Sequence, residues 1–195
     1  GADLKERQGM GTEARLAHNA AINAAINAVA ALPMPTVAAI NGAALGGGCE
    51  LALACDLRIA SDKAVIGLTE SRIGTYPAAG GTQRLPRLVG ASRALELMFT
   101  AEPLSAVRAA EIGLVNEVVP AERLEARVAE LAALVASRSP HAVRAIKRLV
   151  HTGIALPLAE GLAMERAGLP EVFASADYAE GLAAFAEKRP PRFGG

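Results

Sequence analysis

From position 13 to 32 the apolar residues recur at helical spacing, with Leu16, Ile22, Ile26 and Val29 on a background of alanine. That periodicity predicts a long helix, stopped by "LPMP" at 32–35. The next run, "TVAAI" at 36–40, is short, apolar and partly β-branched, and is expected to be a buried strand. "NG" then turns the chain, three glycines follow at 46–48, and residues 49–54 are expected to be helical. "LRIAS" at 57–61 and "AVIGL" at 64–68 are two further strand candidates. Strand, helix and strand in this order predict α/β layering.

The pattern changes after Gly80. "GGTQRLPRLVG" reads as a helix start with a turn at Gly90, and "SRALELMFTA" as a helix. Ser105 is placed to cap "AVRAAEIG", with Gly113 as its stop, and "LVNEVV" is a short strand. Helices are then expected over 121–137, 141–152, 158–174 and 177–188, the first two opened by Pro120 and Pro140. The chain thus divides into an α/β part, 1–100, and a mostly helical part, 101–195. A parallel strand at 36–40 needs neighbours on both sides, so further strands upstream of Gly1 are expected.

Two features in this frame carry chemistry. Three glycines before a helix allow a sharp turn and close approach of a ligand to the backbone. The first N–H groups of the helix are unpaired and lie at its positive end, which suits a phosphate or a developing oxyanion. A tight strand-to-helix turn packed on a neighbour uses the same glycines, and the local sequence does not separate the two readings. No Gly-Lys-Ser/Thr follows, which excludes a P-loop. "GMGTEA" at 9–14 fits a dinucleotide pattern, but polar "ADLKERQ" stands where that motif needs a strand.

The second feature is a pair of acids. Glu50 sits in the first turn of the apolar helix, and Glu70 closes "IGLTE" before "SRIGTYPAAGG". Singly, each suits a helix dipole or a loop cap. Together they suggest a general acid and base, one keeping its proton while the other stays ionised.

Composition narrows the classes. Hydrophobic residues make up 52% and charged ones 21%, as in a packed globule. Lys+Arg and Asp+Glu both number 20, giving no expectation of nucleic acid or an acidic membrane as partner. No apolar stretch approaches the ~20 residues that span a bilayer. Cys49 and Cys55, if both helical, lie ~9 Å and ~240° apart, which excludes a disulfide. They read as buried small hydrophobes in a reducing compartment, the cytoplasm or the mitochondrial matrix. The three histidines show no ligand spacing, and no metal site is expected.

The segments "GADLKER", "AAINGAALGGGCELALACDLRIAS", "GLTESRIGTYPAAGGTQRLPRLVG", "AAEIGLVNEVVP" and "GLAAFAEKRPPRF" resemble, in order, the enoyl-CoA hydratase/isomerase (crotonase) superfamily. The resemblance implies a crotonase-type α/β spiral followed by a helical trimerisation region, and trimers that often pair into hexamers. It implies an acyl-CoA substrate, with coenzyme A as part of that substrate and no separate cofactor. Two peptide N–H groups, those of Ala2 and Gly47, would form an oxyanion hole for the thioester carbonyl. Glu70 would exchange a proton at the α-carbon, and Glu50 would deprotonate the water that adds to the β-carbon. Ala2, Leu4 and Lys5 match positions lining the coenzyme A site, and Phe185 and Lys188 match positions reaching the coenzyme A of a neighbouring subunit. Isomerases and other branches often lack one of the two acids, so retention of both favours hydration. Another acyl-CoA reaction, or a non-catalytic oligomerising chain, is the alternative. "GADLKER", "LALACD" and "AFAEKRPPRF" look closest to the methylglutaconyl-CoA hydratase branch, known also for RNA binding through a lysine-rich helix. The matching helix here contains Arg15 and no lysine. "PAAGG" places Ala78 where hydratases commonly have glycine.

Overall fold

The computed structural model describes residues 3–194, and the expected oxyanion residue Ala2 lies outside the described residues. Two compact units form: Gly1–Leu32 with Thr36–Val128, and Pro33–Pro35 with Ala129–Gly195.

The first unit winds through two strand–strand–helix turns and a third that runs strand, helix, strand. Helix α1 (Thr12–Ala30) leads into β1 (Val37–Ile40), β2 (Ala43–Leu45) and α2 (Gly47–Ala54). The second turn is β3 (Leu57–Ser61), β4 (Val65–Gly67), a 3-10 turn at Glu70–Ile73, α3 (Gly81–Val89) and α4 (Ala91–Thr100). The third is β5 (Leu104–Ser105), α5 (Ala106–Glu111) and β6 (Glu117–Val119). Each turn gives one strand to each of two sheets, β1-β3-β6 and β2-β4-β5. All pairs are parallel except β4 with β5. Because β6 pairs with β3, residues 101–128 join the first unit, and the compact division falls later than the change in composition near 100.

Strand β2 is not apparent in the sequence. "AAL" has neither β-branching nor alternation, and its extended form follows from pairing with β4, Ala43 opposite Val65 and Leu45 opposite Gly67. Helix α2 starts two residues earlier than expected, with Gly47 and Gly48 inside its first turn. Its other end is fixed by Arg58 of β3, which is buried. The guanidinium donates from Nη1 to Cys55 O at 2.7 Å and from Nε to Leu114 O at 2.8 Å. Through Cys55 O, and Ala52 O at 3.3 Å, it satisfies carbonyls that the end of α2 leaves open. Cys49 is buried on α2, whereas Cys55, expected to be buried, is half-buried at the C-cap; neither is in a disulfide among the described residues. The core joins Ile66, Leu68, Leu85 and Leu114 across strands and helices, each nearly inaccessible. Each such side chain contributes ~1.5–3 kcal/mol.

Helix α6 (Leu124–Ala136) runs into the second unit, which holds α7 (Pro140–Gly153), α8 (Leu158–Phe173) and α9 (Ala176–Glu187). Ser139 caps α7 by accepting from Ala142 N–H, and donates its hydroxyl to the buried Asp177 at 2.6 Å. Ser175 caps α9 in the same way. No helix among the described residues is long and apolar enough to cross a membrane.

Candidate active site

The glycine run does more than start a helix. Gly46 has φ +53° and ψ −124°, a backbone conformation that L side chains rarely adopt. A Cβ there would also stand 3.2 Å from Glu70 Oε1. Gly46 N–H donates to Gly67 O at 2.9 Å, tying the turn to β4. The next residue, Gly47, is the first of α2, so its N–H has no carbonyl four residues back within the helix. Gly46 and Gly47 line an open pocket of about 940 Å³, together with Glu50, Glu70, Ala78 and Leu4.

Glu50 is buried in the first turn of α2. Its Oε1 accepts from Ala79 N–H at 2.7 Å and from Gly81 N–H at 2.8 Å. Two N–H groups so close in sequence converge because Gly80 between them has φ +107°. A Cβ on Gly80 would run into the Arg84 guanidinium. A Cβ on Gly81 would lie 2.7 Å from Pro77 Cβ and 3.1 Å from Glu50 Oε1. Both glycines of "PAAGG" are therefore required by the carboxylate they cradle. From the sequence they read only as a helix start; the available signal is their repetition of the acid-proximal glycines at 46–48.

Glu70 stands in the opposite condition. Its Oε2 is buried and meets no hydrogen-bond partner among the described residues. Burial pushes its carboxyl above the ordinary range and the charge of Glu50 adds to this, while the N–H groups of Glu70 and Thr69 pull the other way without cancelling it. A carboxyl of this kind holds a proton more readily than an exposed one, as suits a general acid. The nearby Cys49 thiol is pushed up to about 12 by burial and by the charges of Glu70 and Glu50, which excludes it as a thiolate nucleophile.

The pocket thus brings together Gly47, Glu50, Glu70 and Leu4 of the expected site. Lys5 is not among its lining residues; its backbone N–H donates to Asp3 Oδ1 at 2.8 Å. Phe185, 86% exposed, and Lys188, the C-cap of α9, belong to the second unit.

Known proteins share both the sequence pattern and the fold. The enoyl-CoA hydratase/isomerase family profile matches residues 1–195. Human mitochondrial methylglutaconyl-CoA hydratase is 43% identical over 199 aligned residues, covering 100% of this chain and 59% of that protein. Human mitochondrial enoyl-CoA hydratase domain-containing protein 2 is 44% identical, covering 100% and 68%. The crystal structure of an enoyl-CoA hydratase from Bacillus anthracis superposes with a TM-score of 0.97 at 49% identity, over 99% of this chain and 75% of that one. Across the curated relatives first matched, the chain spans 59–73% of their length.

Proposed function

The chain belongs to the enoyl-CoA hydratase/isomerase family, and we propose that it adds water across the double bond of a 2-enoyl-CoA thioester to give the 3-hydroxyacyl-CoA. The observation that carries this reading is the pair of unlike carboxyls in one pocket. Glu50 has one oxygen locked by two backbone N–H groups, and Glu70 has a buried oxygen with no hydrogen-bond partner among the described residues.

The steps follow from that geometry. The thioester carbonyl sits against Gly47 N–H, with Ala2 N–H as the second donor implied by the family resemblance. Electron withdrawal onto that oxygen makes the β-carbon electrophilic and stabilises the enolate; losing one such donor typically costs ~2.7–4 kcal/mol of barrier. Glu50 takes the proton of the attacking water as its oxygen bonds to the β-carbon. Glu70 delivers a proton to the α-carbon. Glu50 then releases its proton to solvent and Glu70 is reloaded, so the net addition is one water. Burial of Glu70 makes its carboxyl hold a proton more readily than an ordinary one, which suits the donor of the pair.

The substrate is an acyl-CoA, with Leu4 and Lys5 on its coenzyme A side and Phe185 and Lys188 serving a neighbouring protomer. Exposed Ile146, Val150 and Leu158 on α7 and α8 support association into trimers or pairs of trimers. The test is conversion of crotonyl-CoA to 3-hydroxybutyryl-CoA, followed by loss of the ultraviolet absorption of the conjugated enoyl thioester and by product mass. A shifted double bond with no added water would replace hydration with isomerisation, and no product with any thioester would leave an oligomerising chain. Light scattering reads the assembly.

A further inference from the structure

The cradle that locks Glu50 is itself held from outside. Ala79 N–H, one of the two donors to Glu50, shares a peptide plane with the carbonyl of Ala78. Asn23 of α1 donates from Nδ2 to that carbonyl at 2.6 Å, across 55 residues of chain. The same nitrogen lies 2.9 Å from Asn19 Oδ1 and 3.1 Å from Asn19 O. It faces acceptors on every contact, which fixes the amide with its nitrogen toward the loop. The next peptide is treated alike: Arg84 donates from Nη1 to Ala79 O at 3.1 Å and from Nη2 to Asn27 Oδ1 at 2.7 Å. Asn19, Asn23 and Asn27 fall four apart on one face of α1. Asparagine is a poorer helix former than the alanines around it, so this stripe costs α1 intrinsic stability.

We infer that Asn23 is a positioning residue for the proposed reaction, acting on Glu50 through the Ala78–Ala79 peptide. A donor on the carbonyl end orients the plane and polarises the N–H at the other end, because hydrogen bonds in series strengthen one another. Ala78 lines the pocket, and its carbonyl is the group that Asn23 engages. Helix α1 also lines the pocket through Thr12, Arg15, Leu16, Asn19 and Ile22, but its hydrogen bond to the peptide that holds Glu50 comes from Asn23.

The inference rests on the hydration reading for its kinetic readout, so it is tested by two measurements on the full chain. Asn23→Ala removes the donor. Asn23→Asp keeps the volume but, as a carboxylate, offers no proton to Ala78 O and repels it. In crotonyl-CoA hydration, Asn23→Ala lowers kcat ~10-fold and Asn23→Asp ~100-fold, with KM changed less than about twofold, as expected for a slight misplacement of a reacting group. Without substrate, the Ala79 amide proton resonance moves upfield in both variants, as a weakened hydrogen bond requires. Asn23→Asp, being isosteric, tests the inference even where Asn23→Ala unfolds. Folded variants with an unmoved Ala79 resonance and unchanged kcat overturn it. A wild-type chain without hydratase activity overturns the reaction assignment alone, and the substrate-free resonance shift then still decides the role of Asn23.

Discussion

Glu70 and Glu180 are both half-buried glutamates, one in each unit, yet their surroundings differ in kind. Glu180 accepts from Arg189 Nη1 at 2.6 Å, from Arg189 Nη2 at 2.9 Å and from Arg192 N–H at 2.7 Å. Those partners, Arg189 first, hold its carboxyl down at about 2. Glu70 has an oxygen with no partner among the described residues, and burial moves it the other way. The helical unit satisfies its acid and gains stability from it. The spiral unit leaves its acid unsatisfied, at a cost to stability, which is what a proton donor to carbon needs. Strain and polar deprivation collect where chemistry is proposed and are absent from the ion pair that closes α9.

The largest effect expected from this contrast is on turnover. Glu70→Gln and Glu50→Gln should each lower kcat for crotonyl-CoA by ~10²–10⁴-fold, the range for a lost general acid or base. Equal rates in either variant would remove the basis for setting Glu70 apart from Glu180.

Next in size is the cradle. Gly81→Ala forces a Cβ against Pro77, Leu68 and Glu50 Oε1. Overpacking of this sort costs ~1–3 kcal/mol, and the melting temperature should fall by several degrees together with kcat. A melt at the wild-type temperature would show that the loop relaxes freely and that Glu50 is not tightly held.

Much of this contrast is legible in the sequence. The helices announce themselves through capping residues, Ser105 before α5 and Pro140 in the first turn of α7, because those signals are local. Glu50 and Glu70 stand out because acids inside apolar runs are rare. Strand β2 is not legible, since its form depends on pairing with β4 some twenty residues later. The Ala79 and Gly81 contacts to Glu50 are not legible for the same reason: they join positions about thirty residues apart in sequence through backbone groups that every residue carries. Asn23 is hidden by its alanine-rich context, although its four-residue repeat with Asn19 and Asn27 is a usable signal.

A smaller effect should appear in stability, with the sign opposite to that in activity. Glu70 has a raised folded-state pKa, so the native state binds its proton more readily than the unfolded chain does. Stability is then penalised as pH rises from the ordinary carboxyl value near 4.5 through the folded one, and the penalty stays at neutral pH. Glu70→Gln keeps the shape and removes the charge. It should raise the melting temperature at pH 7–8, and the gain should fade in acid below the ordinary value. A variant that melts lower at neutral pH would mean that Glu70 is satisfied after all.

The smallest effect should come from the satisfied acid. The folded-state pKa of Glu180 lies at about 2, below its ordinary value of 4.5. Its contribution is therefore fully present above the ordinary value and is lost as pH falls toward about 2. Glu180→Gln should lower the melting temperature slightly at neutral pH, and the difference from wild type should close across that acid window. The exposed portion of the pair is screened by salt, so the same difference should shrink in about 1 M sodium chloride. Glu70→Gln, which relieves a carboxylate with a buried oxygen instead of breaking an exposed ion pair, should keep its gain in the same salt. Thermal melts of both variants at two pH values and two salt concentrations therefore separate an acid built for holding the chain together from one built to let a proton go.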